Sequence, residues 1–285
     1  MTEPKRPAEM SLRVSVFERK DLAEIGVIGG SGFYELLSDV EHVAVQTPYG
    51  PPSGTLAIGT YEDRRVAFLA RHGAGHRYPP HQINYRANIW ALASVGVTRI
   101  LGPNASGSLQ PHVKPGDFVV CDQFVDRTYG RAQTFYDGPP VVHIGGGEPY
   151  CPELRQLAID AGRELEITIH ETGTVVVIQG PRFSTKAESR WFASAGWEVI
   201  NMTQFPEQVL ARELEVCYTG ISLITDFDAG LEGRDDVEAV SVAGVIEVFH
   251  RNNARVRDLL LRVIPRIPRD RACICATALT GAVIG

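Results

Sequence analysis

The sequence predicts an α/β protein in which a single domain holds one mixed β-sheet flanked by helices. Short apolar runs alternate with segments of helical spacing from residue 24 to about residue 262. The composition, 44% hydrophobic and 22% charged, is typical of a globular protein with a large core. The chain carries no internal repeat and no linker long enough to divide it, which favours one domain over two.

The predicted elements follow one another in this alternation. Apolar runs bounded by turn residues predict strands at 24–29, twice within 55–71, and at 98–103, 117–126, 174–180, 198–202 and 217–228. Apolar residues that recur every three or four positions predict helices at 83–95, 152–165, 185–195, 206–215 and about 240–262. We expect the domain to span residues 21–265, with a flexible leader over 1–20 and a loosely attached tail over 266–285.

The charge pattern excludes several classes of partner. The formal net charge is -6 and no long block of Lys and Arg occurs, so we expect no binding of nucleic acid. No apolar run approaches the ~20 residues of a membrane span. The charged N-terminus lacks the apolar stretch, roughly 7–15 residues long, of a secretory signal. These features predict a cytoplasmic protein with a small-molecule partner.

Five cysteines are spread along the chain: Cys121, Cys151, Cys217, Cys273 and Cys275. They do not form the framework of a small disulfide-rich domain, and none shows the CxxC spacing of a zinc site. We therefore expect buried, reduced thiols and no metal site. The Cys273 and Cys275 pair has two interpretations, a redox-active CxC motif or a chance pairing in the tail, and no catalytic role is assigned to it.

Three polar segments near predicted strand ends are candidates for anion binding. Residues 26–32, GVIGGSG, offer backbone N–H groups and the Ser31 hydroxyl, but a glycine turn that only reverses the chain explains them as well. Their spacing is not that of a GxGxxG dinucleotide loop, and a hairpin follows. Arg71 can give two parallel N–H bonds to a phosphate, and His72 can add a third. Residues 103–109, PNASGSL, offer further backbone donors.

A second group of polar segments lies at the ends of later strands: GPRFS at 180–184, NMT at 201–203 and TDFD at 225–228. The ordered set of motifs resembles the trimeric purine nucleoside phosphorylase family, and within it the branch that acts on S-methyl-5'-thioadenosine. The resemblance extends over about residues 24–265 and is carried by IGVIGGSGFY, ARHGAGH, NYRANIWAL, GDFVVCDQFVDRT, FYDG, EPYCP, QGPRFSTKAES, EVINMT and TDFD. It implies a nucleoside phosphorylase-like fold and cleavage of an N-glycosidic bond by inorganic phosphate, with no metal and no cofactor.

The resemblance implies a phosphate site whose members come from separate loops. These members are Ser31, Arg71, His72, Asn104, Ala105 and Thr203. A preformed anion site suits the chemistry, because phosphate must be held against the anomeric carbon while positive charge develops on the ribose.

The resemblance also implies a slot for the nucleoside. Met202 is expected to pack against the ribose, and Phe183, Ser184, Asp226 and Asp228 are expected to contact the purine. Asp226 is the expected general acid, which protonates N7 of the leaving base. A carboxylate accepts from the 6-amino group of adenine but opposes the 6-oxo group of hypoxanthine. Family members that take 6-oxopurines carry Asn where Asp226 stands and Glu where Ser184 stands, so both positions favour adenine.

Three apolar residues, Val242, Val245 and Ile246, share one face of the last predicted helix, a pattern also typical of a side packed on a core. The resemblance implies that they line a pocket for a 5'-alkylthio group, since an apolar wall accepts a thioether better than a hydroxyl. His143 is expected to reach the 5' pocket of a neighbouring subunit, which implies a homotrimer with sites at its interfaces.

The predicted reaction is phosphorolysis of S-methyl-5'-thioadenosine to adenine and 5-methylthioribose 1-phosphate. One alternative keeps the fold but acts on 6-oxopurine nucleosides or methylthioinosine, because Asn104 stands where the thioadenosine branch usually has threonine and the 6-oxo enzymes have asparagine. The acidic, glycine-rich segment 230–236 also departs from the usual edge of a 5' pocket. A more distant alternative is a purine nucleoside sensor without turnover.

Overall fold

The structure is a computed structural model that describes residues 19–30, 37–231 and 242–284, and within 242–252 it describes the backbone only. The predicted leader, residues 1–20, therefore lies almost entirely outside the described residues. The strands are Ile25–Gly29 (β1), Ser38–Val43 (β2), Leu56–Tyr61 (β3), Arg64–Ala70 (β4), Arg99–Ser108 (β5), Phe118–Val120 (β6), Gln123–Arg127 (β7), Val141–Val142 (β8), Ile169–His170 (β9), Thr174–Ile178 (β10), Val199–Asn201 (β11), Cys217–Phe227 (β12) and Val283–Ile284 (β13).

The α-helices follow the predicted segments closely. They are Tyr85–Ser94 (α1), Pro152–Glu164 (α2), Lys186–Ser194 (α3), Gln204–Glu213 (α4) and Val242–Val263 (α5). Asn84 caps α1 by accepting from the backbone N–H of Ala87 at 3.2 Å. Across the described ranges, none of the helices combines the length and the apolar character that a membrane crossing requires.

Eleven of the described strands form one mixed sheet, which confirms the predicted fold class. The long strand β5 pairs in parallel with β1 and with β12, and its last residues pair antiparallel with β11. β4 pairs in parallel with β1, and β10 lies between β11 and β7 in parallel with both. The carboxyl ends of β1, β4, β5 and β12 consequently meet at one edge of the sheet, where α/β proteins usually bind ligands.

Two hydrophobic clusters cover the two faces of this sheet. Adjacent residues of the central strands fall into different clusters, as the two-residue period of a strand requires: Val27 and Phe68 into one, Ile28 and Leu69 into the other. The first cluster includes residues of α2 and α5, and the second includes residues of α1 and α4. Strands covered on both faces read as continuous apolar runs, which is why β1 and β4 are visible in the sequence.

The polar segment 103–109, predicted to be a loop, is instead largely strand. β5 continues through Ser108, and its backbone pairs with β12 along its whole length, with Asn104 opposite Ser222. Small polar residues have a low intrinsic preference for strands, but pairing with β12, and with β11 at Gly107 and Ser108, overrides that preference. The donors and acceptors of this segment are therefore held by a sheet and not by a flexible loop.

Two other predictions differ from the structure in detail. Residues 117–126, predicted as one strand, form β6 and β7, because the chain changes partner at Cys121: β6 pairs with β12 and β7 with β10. The edge strand β2 was not predicted, since its sequence SDVEHV is mostly exposed and has no apolar face. It is defined by pairing with β3, which only the tertiary structure supplies.

The C-terminal tail, expected to be loosely attached, packs against the domain over the described residues to 284. Ile267 and Cys275 are buried, and β13 pairs with β8. The buried Arg99 donates to the carbonyls of Pro268 at 3.0 Å and Asp270 at 2.8 Å. These contacts are all remote in sequence, so composition alone gave no sign of them.

Candidate active site

One cavity of about 740 Å³ lies where the strand ends meet. Its walls are formed by residues at or just beyond the carboxyl-terminal parts of β1, β4, β5, β10, β11 and β12. The volume falls within the roughly 300–1,000 Å³ of small-molecule sites. The polar segments singled out in the sequence therefore converge on a single concave site.

Most of the predicted site residues lie in this cavity. They are Arg71, His72, Asn104, Ala105, Phe183, Ser184, Met202, Thr203, Asp226 and Asp228. Because these residues are up to 157 positions apart in sequence, their convergence is a product of the fold.

The remaining predicted residues are not placed in the cavity. Ser31 lies outside the described residues, directly after Gly29 and Gly30, which line the cavity. The side chains of Val242, Val245 and Ile246 also lie outside the described residues. His143 is exposed and does not line the cavity; its backbone N–H donates to the carbonyl of Ala282 at 2.8 Å. Its expected role concerns a neighbouring subunit and stays a prediction.

Arg71 is buried and is held by an ion pair with Glu207. Its Nε and Nη2 groups donate to the two carboxylate oxygens at 2.6 and 3.0 Å, while Nη1 and Nη2 donate to the carbonyls of Pro103 and Ile28 at 2.8 Å each. Burial acts to lower the pKa of Arg71, but the adjacent Glu207 carboxylate outweighs it and the pKa is raised.

The guanidinium group of Arg71 thus gives its two parallel hydrogen bonds to Glu207. The prediction that Arg71 gives two parallel hydrogen bonds to an anion is therefore wrong. Four of its five N–H groups are used within the protein, which leaves one Nη1 hydrogen for a ligand. The sequence could not reveal this, because Glu207 is 136 positions away and lies in a segment predicted only as a helix.

Tyr218 supports Glu207 from the sheet. Its hydroxyl donates to a Glu207 oxygen at 2.7 Å, and burial raises the pKa of Tyr218 well above its usual value. The Tyr218 hydroxyl passes so close to β5 that a Cβ on Gly102 would clash with it. Gly102 is therefore required for this approach, and Arg71, Glu207 and Tyr218 together form a fully buried group that we call the arginine cluster.

His72 has one ring nitrogen fixed and the other available. Its Nδ1 lies 2.9 Å from the carbonyl oxygen of Tyr78, which can only accept, so Nδ1 carries the proton. The ring stacks on His76 with 4.0 Å between centroids. Burial, aided by the neighbouring His76 and Arg71, lowers the pKa of His72 to about 4, although the bond to Tyr78 opposes this. His72 is thus neutral at pH 7, with the lone pair on Nε2.

Asn104 is held by a chain of buried amides. Its Oδ1 accepts from Gln204 Nε2 at 2.9 Å and from Asn201 Nδ2 at 3.4 Å. Gln204 is itself fixed, because its oxygen accepts from the hydroxyl of Tyr150 at 2.6 Å. The cavity wall at this point is rigid and rich in amide groups.

The acidic side of the cavity contains two carboxylates at the end of β12. Burial raises the pKa of Asp226 to about 6, the bond from Thr225 opposes the shift, and the charge of Asp228 adds to it. The Thr225 hydroxyl donates to Asp226 Oδ1 at 2.7 Å, and the Ser184 hydroxyl donates to Asp228. Among the residues that the structure describes, no cation pairs with either carboxylate. We call Ser184, Thr225, Asp226 and Asp228 the carboxylate cluster.

Phe183 and Ser184 are positioned by the start of α3. Thr185 accepts from the Glu188 backbone N–H at 3.2 Å, and the Glu188 side chain accepts from the Thr185 backbone N–H at 2.7 Å. This capping box fixes the point at which the loop becomes a helix. Phe183, 38% exposed, and the buried Ser184 precede it directly and face the cavity.

Met202 enters the cavity through a gap left by Gly180. A Cβ on Gly180 would lie 2.7 Å from the Met202 sulfur, and the φ of 64° at Gly180 is one that other residues rarely adopt. Arg131 fixes the backbone here by donating to the carbonyls of Met202 and Gln179, each at 2.9 Å.

The residues that build this site all lie within residues 24–265. The family model of the phosphorylase superfamily matches this same segment of the sequence. The chain belongs to the phosphorylase superfamily.

Individual members of the superfamily are similar to the chain over nearly its whole length. A relative from Streptomyces coelicolor, named purine nucleoside phosphorylase, is 52% identical over 91% of this chain and 95% of its own length. One from Thermofilum pendens, named S-methyl-5'-thioadenosine phosphorylase, is 48% identical over 92% of this chain and 98% of its own. The solved structure of methylthioadenosine phosphorylase from Schistosoma mansoni in complex with adenine has a TM-score of 0.82, with 40% identity, and covers 87% of this chain and 93% of that one.

Sequence reasoning missed several residues that shape this phosphorylase site. Glu207 and Gln204 lie in α4, and both are fully buried although polar. Asn253 of α5 also lines the cavity, and its buried Oδ1 has no hydrogen-bond partner within the described part of the chain. The charged and amide residues of the predicted helices were the one sequence signal that could have indicated these site residues. Such residues are usually exposed, so the signal is weak. Their burial is known only from the structure.

Proposed function

We propose that the protein catalyses phosphorolysis of S-methyl-5'-thioadenosine, which releases adenine and 5-methylthioribose 1-phosphate and serves purine and methionine salvage. The observation that carries the proposal is that one cavity is lined by both a buried cation, Arg71, and a carboxyl group, Asp226, that can be protonated near neutral pH. The reaction needs both features, since an anion attacks while the leaving base takes up a proton. The names of the Thermofilum and Schistosoma relatives support the same substrate.

Phosphate binding is assigned to the residues expected from the sequence: Ser31, Arg71, His72, Asn104, Ala105 and Thr203. With its charge balanced by Glu207, Arg71 contributes the one Nη1 hydrogen that is not used within the protein. Backbone N–H groups and the Thr203 hydroxyl supply the other directional bonds. Because these groups are in place beforehand, little reorganisation accompanies the reaction.

His72 links phosphate binding to a proton. The neutral ring presents an Nε2 lone pair, which repels a phosphate oxygen but accepts from a phosphate P–OH group. If the dianion binds instead, its charge raises the pKa of His72 and the ring takes up a proton. In both cases one proton is shared between His72 and the bound phosphate.

The chemical step balances as a displacement at the anomeric carbon. A phosphate oxygen forms a bond to C1' while the C1'–N9 bond breaks, and its electron pair passes to the purine. Protonated Asp226 gives its proton to N7, and its second oxygen accepts from the 6-amino group. With a pKa of about 6, roughly a tenth of Asp226 is protonated at pH 7. Ser184 orients Asp228, the second carboxylate offered to the purine.

The ribose and its 5' substituent are assigned to apolar residues. Met202 packs against the ribose, and Phe183 against the base. Val242, Val245 and Ile246 line the 5' pocket, and His143 of an adjacent subunit completes it in a cytoplasmic homotrimer.

Exposed apolar side chains at Tyr129, Val141 and Trp191 support the formation of the subunit interfaces of this homotrimer. Light scattering tests the assembly: a mass three times that of the chain is expected, and a monomer would contradict it.

A second candidate function, cleavage of 6-oxopurine nucleosides or methylthioinosine, is favoured by two observations. Asn104 is the residue of the 6-oxo enzymes, and the Streptomyces relative is named purine nucleoside phosphorylase. Asp226 opposes this candidate, since an ionised carboxylate repels a 6-oxo group. The two candidates share the fold and the phosphate site and differ only in the base.

The test is an assay of free base release from four nucleosides, each with and without phosphate. Methylthioadenosine, adenosine, methylthioinosine and inosine vary the 6-substituent and the 5' group independently. We expect the fastest, phosphate-dependent release from methylthioadenosine. Faster release from the two inosine compounds would establish the second candidate, and binding of nucleosides without any release would indicate a sensor.

A further inference from the structure

Four cysteines from three distant segments come together in the folded chain. Cys151, Cys217, Cys273 and Cys275 place their sulfur atoms all within 4.8 Å of one another. All four are free thiols, three are buried and Cys273 is partly buried. No CxxC spacing announced this group, which is why the sequence predicted no metal site. We call it the four-cysteine cluster.

The cluster is remote from the active site. Cys217 is the first residue of β12 and pairs with Arg99, the first residue of β5, whereas Asp226 lies near the other end of β12. Asp226 lies nine positions after Cys217 along the strand, a span of about 30 Å at the usual rise. The role of the cluster is therefore separate from the nucleoside chemistry.

The spacing of the sulfurs suits a tetrahedral metal ion. Four thiolates at about 2.3 Å from a zinc ion have their sulfurs about 3.8 Å apart. The Cys217 and Cys273 sulfurs are 3.3 Å apart, and no pair exceeds 4.8 Å, so the observed separations bracket that value. A disulfide would require about 2.0 Å for each bonded pair.

Positive charge lies next to two of the four sulfurs. Arg99 Nη1 lies 3.4 Å from the Cys217 sulfur and 3.8 Å from that of Cys273, and it also donates to Glu153. Cys151 occupies the N-cap position of α2, where the helix dipole favours negative charge. Ile274 is 48% exposed, so the CxC segment directs its two cysteines inwards and the residue between them outwards.

We propose that the four-cysteine cluster binds one Zn²⁺ ion and joins the C-terminal tail to the sheet. One proton leaves each thiol as its sulfur becomes a ligand, and four sulfur ligands leave no open position for a substrate. The site is therefore structural. It connects the start of α2 and the start of β12 to residues 273–275, and so adds a fixed link to the apolar contacts, such as that of the buried Ile267, that hold the tail.

The first experiment measures bound metal in tag-free protein purified in a reducing buffer without chelator. We expect about one zinc per chain by plasma mass spectrometry in the wild type, and its loss in Cys275→Ser. Cys121→Ser is the matched control, because Cys121 is also a buried thiol but lies outside the cluster, and it should retain the zinc. Zinc retained by Cys275→Ser, or iron in its place, would overturn the proposal.

The second experiment uses the wild type alone, so it does not depend on the folding of a variant. Reduced protein freed of metal by a chelator is titrated with Co²⁺, and we expect the visible absorption of tetrahedral cobalt with thiolate charge-transfer bands at one equivalent. Limited proteolysis should then release the tail from the metal-free protein faster than from the zinc form. No cobalt spectrum, together with an intact mass lighter by two hydrogens per cysteine pair before reduction, would show disulfides and refute the zinc site.

Discussion

The arginine cluster and the carboxylate cluster bury charge in the same cavity but treat it in opposite ways. Arg71 has its counter-ion in Glu207, with two hydrogen bonds between them and a third group, Tyr218, completing the carboxylate. Among the described residues, Asp226 has only hydroxyl and carboxylate neighbours, and its pKa is raised by burial. One charge is neutralised by the protein, and the other is left for the ligand.

This difference separates stability from function. A buried ion pair that loses one partner leaves an uncompensated charge, which destabilises the folded state. A buried carboxylate without a cation already destabilises the folded state when it is ionised. Its replacement therefore stabilises the folded state but removes the general acid. Variants in the two clusters should therefore fail in different assays.

Glu207→Gln should show the largest effect on stability. The change leaves the guanidinium of Arg71 buried without its counter-ion, so we expect the free energy of unfolding in urea to fall by about 3–5 kcal/mol. The control is Glu171→Gln, which removes an ion pair to Arg163 that is about half exposed on both sides and is expected to cost less than about 1 kcal/mol. Equal losses in the two variants would contradict the difference between buried and exposed pairs.

Asp226→Asn should show the largest effect on catalysis, without a loss of stability. Loss of the general acid is expected to lower kcat/KM for methylthioadenosine by about 10²–10⁴-fold, and the activity ratio should shift towards inosine. The unfolding midpoint should stay equal or rise, because a buried carboxylate has been removed. A loss of stability like that of Glu207→Gln would break the comparison between the clusters.

His72→Asn sharpens the comparison on the anion side. The amide of Asn can still donate to the Tyr78 carbonyl, but the group that faces phosphate is removed. We expect KM for phosphate to rise by about 10–100-fold, as for the loss of a hydrogen bond to a charged group, with KM for the nucleoside little changed. A change confined to the nucleoside KM would place His72 with the base instead.

The last prediction is a pH dependence of stability that belongs to Asp226. Its pKa is raised in the folded state from 3.8 to about 6, so the folded chain holds a proton that the unfolded chain has lost. The stability of the wild type relative to Asp226→Asn should thus fall as pH rises from about 4 to about 6, by at most about 1.4 kcal/mol per pH unit, and be level above. Urea titrations of both proteins measure this, and a difference that increases with pH would have the wrong sign.

Periodicity predicted the fold well where burial is uniform. β1, β4 and β12 are covered on both faces or paired on both sides, so their apolar runs are long and their bounds agree within a residue or two. The predicted strands differ from the observed ones where polar residues form a strand, as in the second half of β5 and in the exposed edge strand β2. There the backbone follows its pairing partners and not its own side chains.

The resemblance of the ordered motifs to a family placed Arg71, Thr203 and Asp226 in one site before its shape was known, and all three line the cavity. For Arg71 and Asp226 the sheet gives the reason, because the carboxyl ends of the parallel strands β4 and β12 lie at the same edge. The ion pair between Arg71 and Glu207 could not be predicted, because Glu207 lies far away in the sequence, in helix α4.

The sequence by itself determined the alternation of strands and helices, the family, and the polar segments that line the cavity, because these depend on local spacing and motif order. Only the tertiary structure decided which charges are paired, which carboxyl group keeps a raised pKa, and that four cysteines separated by up to 124 residues form one cluster. Such properties depend on distance and burial, and both arise only when remote segments pack together.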